Sequence, residues 1–518
     1  MSPARNFSVE TADVVVVGSG GAALTAAYTA AATGLRTIVV EKTEYFGGTS
    51  AYSGAGIWLP GNPAQQRAGV PDSVELGLEY FRAVVGDRTS AALQEAYLST
   101  GPELIEFLEK DPALVFDYGP FPDYFEAPGR VENGRDIFPR ALRAAELGER
   151  LADLRPTISI DQHGLSEDRS TLIGGQALIG RLLLALDATG SATLYSRTPM
   201  TSLVVEDGRV IGIDVDGPEG PRRIRAERGV VLAAGGYECD DDLRREHHAL
   251  PSGQWTSAAP GSNTGDALAA IQAVGGAVDL LDEAWWCPAT LFPNGRAEFT
   301  LGFRGGILVN GAGERFANES LPYDRMGHEL RRGQATGVPH VPCWLVFDAR
   351  FDAMPGISQP APDREAFTAA GLWRTADSLA ELATRIGVPA DALQRTVERF
   401  NGFAASGVDE DYHRGEDAYD LFFADGTGPN PCLVPIDRGP YSAIQIVLGD
   451  LGTKGGARID PDARVLDEAG APIPGLYATG NSAASVAGHV YPGPGTPLGS
   501  GMVFGYRAAR HAAHGGRQ

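Results

Sequence analysis

The feature that most constrains the fold of this chain is a glycine-rich turn near its N-terminus. The turn, Gly18–Ala23 (GSGGAA), follows the apolar run Val14–Val17 and opens an alanine-rich helical pattern that stops at Gly34. A second apolar run, Thr37–Val40, comes next. Continuous β-branched runs are typical of strands buried on both faces of a sheet, so the segment is a β-α-β unit. It predicts an α/β fold built on a doubly wound parallel sheet.

The turn also has the composition of a dinucleotide site. In Gly18-x-Gly20-x-x-Ala23 the glycines permit a tight turn and a close approach of the backbone to a pyrophosphate. The start of the following helix supplies unpaired N–H groups and the positive end of the helix dipole. Glu41, directly after the second strand, is placed to accept hydrogen bonds from ribose hydroxyls. Strand, helix and acid together indicate a site for FAD or NAD.

A second glycine cluster helps to distinguish these two cofactors. Gly47–Ser50 and Ser53–Gly56 follow closely after Glu41, where an NAD-binding domain needs no such loop. Two further apolar runs, Val230–Gly236 and Leu476–Asn481, lead into glycine far downstream. We interpret both as sheet strands whose ends meet the ligand. The pattern favours FAD.

The pattern changes in the middle of the chain, over about 281–447. Ile307–Asn310 reads as a short strand with a glycine turn, and amphipathic helices are predicted near 378–386 and 390–404, the second with Pro389 at its start. We predict an inserted α+β substrate (catalytic) domain over 281–447. The Rossmann-like FAD-binding domain is then expected in two parts, 1–280 and 448–518.

Composition and charge exclude several classes of protein. The net charge of −23 repels phosphate backbones, so nucleic acid is not an expected partner. The four cysteines are widely separated with no CxxC, and the adjacent His247 and His248 face different ways on a helix, so no metal site is predicted. We expect both histidines at the surface and the cysteines reduced in the cytoplasm. No apolar run reaches the roughly 18 residues that a transmembrane helix needs.

Around the glycine clusters the sequence resembles the fumarate reductase class of flavoproteins, in which the loop after the acid wraps the flavin. Three further segments are similar to the 3-ketosteroid Δ1-dehydrogenases in particular: Phe121–Tyr124 (FPDY), Asn318–Asp324 (NESLPYD) and Tyr491–Gly495 (YPGPG). The similarity runs through nearly the whole chain, including Thr49–Pro60 and Asp450–Gly456. The resemblance implies a flavoprotein oxidoreductase of steroid degradation.

The resemblance implies a catalytic set of four residues: Tyr124, Tyr323, Tyr491 and Gly495. The Tyr491 hydroxyl and the Gly495 N–H would donate to the C3 carbonyl of a 3-oxo-4-ene steroid and polarise it towards the enolate. Tyr323, with Tyr124 hydrogen-bonded to it, would remove the proton from C2 while the C1 hydride passes to flavin N5. Since a phenol has an ordinary pKa near about 10, the site must favour the phenolate by hydrogen bonding or a positive field.

The resemblance also implies a set of cofactor-binding residues from the glycine clusters and the strand ends. No histidine precedes His163, so the histidyl-linked flavin of some members cannot form in this stretch, and FAD is expected to be bound non-covalently. The expected cofactor-binding residues are Gly18, Ser19, Gly20, Ala22, Ala23, Glu41, Lys42, Gly48, Thr49, Ser50, Ser53, Gly54, Ala55, Gly56, Ala233, Ala234, Gly235, Asn263, Asp266, Gly480, Asn481, Gly495, Pro497 and Leu498.

The turn that begins at Tyr491 bears on the substrate. It contains no arginine before Arg507, whereas members that handle dicarboxylates are expected to hold them there with a bidentate arginine. A neutral, apolar substrate is therefore favoured, and the resemblance implies that it is a 3-ketosteroid and that electrons pass to a quinone-like acceptor. The alternatives are a 3-ketosteroid Δ4-(5α)-dehydrogenase, a fumarate- or enoate-type flavin reductase, or a non-enzymatic flavin-binding module for electron transfer or recognition. We expect a monomer in the cytoplasm, with peripheral association with the membrane left open.

Overall fold

The structure of the protein, a computed structural model, describes residues 8–250, 252–333 and 337–515. The described chain divides into two units. The first draws on 8–250, 258–283 and 453–515, and the second on 252–257, 284–333 and 337–452. Two segments of the second unit therefore interrupt the sequence of the first.

The predicted β-α-β unit forms the centre of the main sheet of the first unit. The strand Ser8–Val17 pairs in parallel with Thr37–Val40 on one side and with Gly220–Leu232 on the other. The helix Gly21–Ala32 connects the first two strands, and Pro472–Ala478 pairs in parallel with Gly220–Leu232. Both glycine-ended runs thus join the sheet of the N-terminal turn. The predicted α/β class with a Rossmann-like domain is confirmed.

The carboxyl ends of these parallel strands meet at one edge of the sheet. Gly18, Ala233 and Thr479 each directly follow such a strand. The sheet has eight strands among the described residues, and its main path runs Arg464–Leu466, Pro472–Ala478, Gly220–Leu232, Ser8–Val17, Thr37–Val40, Ala192–Tyr195. Arg209–Gly217 pairs with Gly220–Leu232, and Met200–Glu206 pairs with Arg209–Gly217, both antiparallel.

Helices and short sheets complete the first unit. Its α-helices are Gly21–Ala32, Pro63–Arg67, Val74–Val85, Ala91–Leu108, Ile158–His163, Gly174–Ala188, Asp241–His248, Asp266–Ala273 and Thr496–Ala513. Its 3-10 helices are Gly48–Tyr52, Ala144–Leu151 and Gly480–Ser482. Short antiparallel sheets pair Asp136–Pro139 with Ile57–Trp58 and Phe116–Tyr118, Leu142–Arg143 with Thr171–Leu172, and Val278–Asp279 with Gly456–Ala457. The first and last helices pack against each other.

The second unit combines a largely antiparallel sheet with helices, as predicted for an α+β segment. Among the residues described, its strands are ordered Ile307–Val309, Cys343–Phe347, Tyr441–Thr453, Ala284–Leu291, Ala297–Leu301, Ile357–Ser358, with Trp373–Ala376 paired to Tyr441–Thr453. Its helices are Tyr323–Gly333, Arg364–Ala369, Leu379–Ile386, Ala390–Ser406 and Ala418–Phe422. The predicted strand at 307–310 and the helices near 378–386 and 390–404 are confirmed. Leu382, Val397 and Ile307 share one buried core.

The expectations about metals and cysteines can be compared directly with the structure. Within residues 8–250, 252–333 and 337–515, no group of three or more His, Cys, Asp or Glu is arranged to hold a metal ion. All four cysteines are free thiols. The expectation of a surface position is wrong for His248, which is buried and stacks on the Tyr237 ring at 5.5 Å. In the described part of the chain, no helix is both long and apolar enough to cross a membrane.

A cluster of charged side chains is fully buried beside the short sheet of the first unit. Asp123 and Asp136 are both 0% exposed, and the Arg135 Nη2 lies 3.3 Å from the Asp123 Oδ2. Burial raises the pKa of Asp136 well above its usual range, and the neighbouring Asp123 raises it further. Neither carboxyl oxygen of Asp136 has a hydrogen-bond partner among the described residues. Asp136 is therefore expected to keep its proton at neutral pH.

Replacing Asp136 by asparagine is expected to raise the free energy of unfolding at pH 8 by at least about 1 kcal/mol, because the folded protein holds a proton on this buried carboxyl that the unfolded chain releases. An acid with a raised pKa in the folded state binds more protons when folded, so the wild type loses stability as the pH rises above the unfolded pKa of about 4. The asparagine variant lacks this loss. Urea unfolding at pH 5 and pH 8 measures the effect, and an equal gain at both pH values would contradict it.

Candidate active site

The turn after the first strand has the geometry needed to approach a pyrophosphate. Gly18 has a φ of +105°, and a Cβ there would lie 2.2 Å from the carbonyl oxygen of Ala233. Its N–H donates to the carbonyl of Val40 at 2.8 Å, so the turn is fixed to two neighbouring strands. The cap residue of the next helix is Gly20, which has no side chain that could accept a hydrogen bond from the first turn. The helix start is therefore suited to an anion.

Replacing Gly18 by alanine is expected to lower the affinity for FAD at least about 10-fold, because the left-handed φ and the contact with the Ala233 carbonyl exclude a Cβ. The matched control is Gly34→Ala, since Gly34 has a φ of +84° but a Cβ there would meet nothing within 4 Å. Titration of the flavin-free proteins with FAD measures both affinities. Equal FAD affinity in the two variants would show that the close approach at Gly18 is not required.

The carboxylate of Glu41 is held from two sides. The Ser19 hydroxyl donates to its Oε2 at 2.6 Å, while the Thr43 N–H and hydroxyl each donate to its Oε1 at 2.8 Å. Ser19 in turn accepts the N–H of Gly47 at 3.0 Å, and the Arg155 guanidinium donates to the Thr43 hydroxyl at 2.7 Å. The Oε2 accepts only one of these bonds and has further acceptor capacity, so Glu41 is a fixed acceptor suited to ribose hydroxyls.

Four further residues predicted to bind the cofactor are engaged with other protein groups. The Lys42 Nζ lies 2.8 Å from the Asp266 Oδ2, so these two predicted residues form an ion pair. The Asn263 amide nitrogen donates to the Thr49 hydroxyl at 3.2 Å and to the carboxylate of Glu238, which is fully buried. These contacts brace the loops around Thr49. Glu238 was not predicted, because nothing local in the sequence links it to Asn263.

The second glycine cluster lies beside the first and leaves backbone faces open. The Ser50 hydroxyl accepts the N–H of Gly21 at 3.0 Å, which ties the loop to the start of the first helix. A Cβ on Gly54 would meet no atom within 4 Å, and one on Gly48 would come no closer than 4.0 Å to Gly20. Backbone without side chains is what close contact with a large planar cofactor requires.

The downstream strand ends join the same site. The Ser482 hydroxyl accepts the N–H of Ala234 and donates to the carbonyl of Gly235, both at 2.9 Å. The Thr479 hydroxyl donates to the carbonyl of Gly501 at 2.6 Å, which ties this strand end to the last helix. The structure thus brings together segments more than two hundred residues apart, as the glycine-ended strands predicted.

The last helix, Thr496–Ala513, begins against both glycine clusters. Its cap residue Gly495 has a φ of +82° and offers no side chain, and a Cβ there would lie 2.3 Å from the carbonyl carbon of Gly56. The Leu498 side chain would lie 3.2 Å from a Cβ on Gly21. The remaining predicted cofactor residues lie on these turns, strand ends and helix starts: Ala22, Ala23, Ser53, Ala55, Gly480, Asn481 and Pro497.

The residues present fit FAD. Two helices begin at glycines without capping side chains, Gly20 and Gly495, and such helix starts favour a pyrophosphate or the anionic pyrimidine end of a reduced flavin. Gly48 and Gly54 present open backbone, and Glu41 is a fixed acceptor for ribose. All these elements belong to the first unit.

Two of the predicted catalytic tyrosines are brought together in the first unit. The ring centroids of Tyr124 and Tyr491 are 5.4 Å apart, and the ring planes meet at 61°. The Gly495 N–H donates to the Tyr491 hydroxyl oxygen at 3.3 Å. The two groups predicted to bind a carbonyl therefore converge on one small volume, and both tyrosines are buried. A carbonyl oxygen placed there would accept from the hydroxyl and the N–H together.

A buried polar contact that was not predicted from the sequence lies beside Tyr124 and Tyr491. The Trp58 Nε1 donates to the Asp123 Oδ1 at 2.8 Å, and the Val131 N–H donates to the Asp123 Oδ2 at 3.2 Å. A Cβ on Gly493 would lie 2.3 Å from the Trp58 Nε1, so the tyrosine turn packs directly on this indole. The available signal was a charged residue, Asp123, immediately before Tyr124 in an aromatic segment.

The third tyrosine, Tyr323, belongs to the second unit. It is the first residue of the helix Tyr323–Gly333, and its ring is buried edge-to-face on Phe299 at 4.8 Å. The preceding segment is fixed by buried ion pairs, because Arg315 and Arg414 lie 2.8 Å and 3.0 Å from the Glu319 Oε2. Glu319 of the NESLPYD motif is thus a structural anchor, a role that the sequence did not predict.

Comparison with known proteins places the chain in a family. A family model described as FAD binding domain matches residues 13–498. The 3-oxosteroid 1-dehydrogenase of Mycobacterium tuberculosis is 41% identical, over 98% of this chain and 99% of the relative. The chain belongs to the 3-ketosteroid Δ1-dehydrogenase family. The crystal structure of such a 3-ketosteroid Δ1-dehydrogenase from Sterolibacterium denitrificans, in complex with 1,4-androstadiene-3,17-dione, has a TM-score of 0.90 and 35% identity, and the match covers 98% of this chain and 100% of that one.

Membership of the 3-ketosteroid Δ1-dehydrogenase family confirms three predictions: the family itself, FAD as the cofactor, and an oxidoreductase. The chain is also similar to the 4-oxocyclohexanecarboxylate 2-dehydrogenase of Sinomonas cyclohexanicum, at 37% identity over 97% of this chain and 93% of the relative. The names of these two relatives both describe the dehydrogenation of a ring that carries an oxo group.

Proposed function

We propose that this protein is an FAD-dependent 3-ketosteroid Δ1-dehydrogenase, which introduces a C1–C2 double bond into 3-oxo-4-ene steroids. The observation that carries the proposal is the convergence of the Tyr491 hydroxyl and the Gly495 N–H, 3.3 Å apart, beside the buried ring of Tyr124. This pair of donors suits a single carbonyl oxygen. The steroid names of the relatives from Mycobacterium tuberculosis and Sterolibacterium denitrificans support the choice of ketone.

In the proposed reaction, Tyr491 and Gly495 donate hydrogen bonds to the C3 carbonyl oxygen. These bonds strengthen as negative charge grows on that oxygen, so they lower the barrier to loss of the C2 proton. Tyr323 is the proposed acceptor of this proton, and Tyr124 is proposed to support it. Bound FAD would supply the acceptor for the C1 hydride. One proton and one hydride leave the substrate, and the C1–C2 double bond forms.

A second candidate substrate class is a smaller cyclic ketone that bears a carboxylate. It is favoured by the similarity to the 4-oxocyclohexanecarboxylate 2-dehydrogenase. A carboxylate is best held by a bidentate arginine, and the turn from Tyr491 has none before Arg507. The neutral steroid is therefore the preferred substrate.

The proposal is tested by anaerobic titration of the FAD-loaded protein with androst-4-ene-3,17-dione, with the flavin absorbance followed and the steroid product identified. Bleaching with a 1,4-diene product is the expected result. A product desaturated at C4–C5 from a saturated 3-ketosteroid would identify a Δ4-(5α)-dehydrogenase instead. Bleaching by 4-oxocyclohexanecarboxylate alone would identify the smaller substrate class, and reoxidation of the reduced protein by fumarate would identify a reductase.

We also propose a quinone-like electron acceptor, a monomeric state and a cytoplasmic location that allows peripheral contact with the membrane. The support for the acceptor is the resemblance to steroid dehydrogenases noted from the tyrosine motifs. Reoxidation of the steroid-reduced protein by a soluble quinone, compared with oxygen and fumarate, tests the acceptor. Sedimentation at several protein concentrations tests the monomer.

A further inference from the structure

Tyr80 is a fully buried tyrosine that no sequence motif singles out. It lies on the helix Val74–Val85, with its ring centroid 6.0 Å from that of Trp58 and 5.5 Å from the Arg135 guanidinium carbon. Its hydroxyl donates to the carbonyl of Pro492 at 2.6 Å and accepts the N–H of Phe125 at 3.1 Å. One oxygen atom therefore links two segments that are far apart in the sequence.

The two linked residues directly follow the paired tyrosines. Phe125 comes after Tyr124, and Pro492 comes after Tyr491. The Pro492 carbonyl also accepts the N–H of Tyr124 at 3.0 Å, so this one oxygen accepts hydrogen bonds from both Tyr80 and Tyr124. The hydroxyl of Tyr80 therefore connects the segment that contains Tyr124 to the segment that contains Tyr491. It thereby constrains the relative position of the two rings, whose centroids are 5.4 Å apart.

The surroundings of the Tyr80 hydroxyl also set its protonation state. Burial raises the pKa of Tyr80 well above its ordinary value, and the nearby Asp123 raises it further, while Arg135 and the Phe125 N–H act in the opposite direction. The phenol therefore keeps its proton throughout the working range of pH. A protonated hydroxyl both donates and accepts, as the two observed contacts require.

We propose that Tyr80 is a positioning residue, whose hydroxyl sets the distance between Tyr124 and Tyr491 and thereby the placement of the Tyr491–Gly495 donor pair. The inference rests on the proposed function, because it assigns Tyr80 an effect on the donors that polarise the ketone. Tyr80 acts through Tyr491 rather than by touching the substrate. Misplacement of a catalytic group by about 1 Å is sufficient to lower a rate by about 10²-fold.

The test is Tyr80→Phe, which retains the buried ring and removes only the hydroxyl. We expect kcat for androst-4-ene-3,17-dione to fall about 10- to 100-fold while KM changes less than about 3-fold, because binding of the ring system is retained. The matched control is Tyr506→Phe, since Tyr506 is also buried and its hydroxyl likewise makes two hydrogen bonds, donating to Glu103 at 2.7 Å and accepting from the Arg510 Nη1 at 3.3 Å. The control is expected to retain kcat within about 2-fold.

A double-mutant cycle separates positioning from a general loss of stability. If Tyr80 acts through Tyr491, adding Tyr80→Phe to a Tyr491→Phe protein should lower kcat far less than it does in the wild type. Multiplicative effects, or a kcat for Tyr80→Phe no lower than that of the control, would overturn the inference.

A second measurement does not depend on turnover. Hydrogen exchange in peptides that cover 121–126 and 490–496 should be faster in Tyr80→Phe than in both the wild type and Tyr506→Phe. Unchanged exchange would overturn the inference even in an active enzyme. Faster exchange in a protein that does not act on steroids would leave the connection standing and reject the proposed function.

Discussion

Replacing Tyr491 by phenylalanine is expected to lower kcat/KM for androst-4-ene-3,17-dione by about 10²–10³-fold, the usual effect of removing one donor to a developing oxyanion. The hydroxyl of Tyr491 lies 3.3 Å from the Gly495 nitrogen, and the pair is proposed to share the C3 carbonyl oxygen. The remaining N–H would still bind the ketone, so most of the loss should appear in kcat. Steady-state rates with a saturating artificial acceptor measure both constants.

Measuring the flavin content of the Tyr491→Phe protein shows whether weaker FAD binding causes the loss of activity instead. Tyr491 lies four residues before Gly495, the cap residue of the helix that begins at Thr496, so displacement of that helix start would also reduce FAD binding. We expect the Tyr491→Phe protein to retain the wild-type affinity for FAD and the wild-type flavin spectrum. A variant with full FAD and an unchanged kcat/KM would remove Tyr491 from the proposed donor pair.

Replacing Tyr323 by phenylalanine is expected to lower kcat by about 10²–10⁴-fold, the range for loss of a positioned acid or base. The ring should keep its edge-to-face contact with Phe299, because that contact does not involve the hydroxyl. Proton removal from C2 can be followed independently of hydride transfer, as exchange of C2 hydrogen with solvent deuterium. We expect this exchange to be lost together with turnover.

A matched tyrosine in the same unit serves as the control. The Tyr412 hydroxyl donates to the carbonyl of Arg315 at 2.9 Å and is assigned no part in the reaction. Tyr412→Phe is expected to retain turnover within about 2-fold. Full steroid turnover by Tyr323→Phe with bound flavin would show that another group accepts the proton.

The elements that were predicted correctly share a short-range signal. The β-α-β unit over Val14–Val40 was visible because β-branched runs, a glycine turn and an alanine-rich helix adjoin one another. The helix Ala390–Ser406 was visible from its apolar period and from Pro389 at its start. Glu41 was singled out by the same kind of signal, because the acid of a dinucleotide site follows the second strand directly, and its role in binding FAD stays a prediction.

The surface position expected for His248 shows where such signals fail. Adjacent histidines beside an acidic run have the composition of a solvated helix, and Asp240 does cap that helix through its side chain. However, the helix turns one face inward, and His248 stacks on Tyr237 there. Composition gives the average exposure of a short helix, whereas packing decides the exposure of each face.

By itself, the sequence determined the α/β class, the dinucleotide turn at Gly18 and the family motifs that contain Tyr124, Tyr323 and Tyr491. Only the tertiary structure decided that Tyr80 joins Phe125 to Pro492 and that Asp123 receives the Trp58 indole. The physical reason is the range of the interactions. Periodicity and turn chemistry act between near neighbours in the chain, whereas these hydrogen bonds depend on burial and on segments that only the completed fold brings within hydrogen-bond distance.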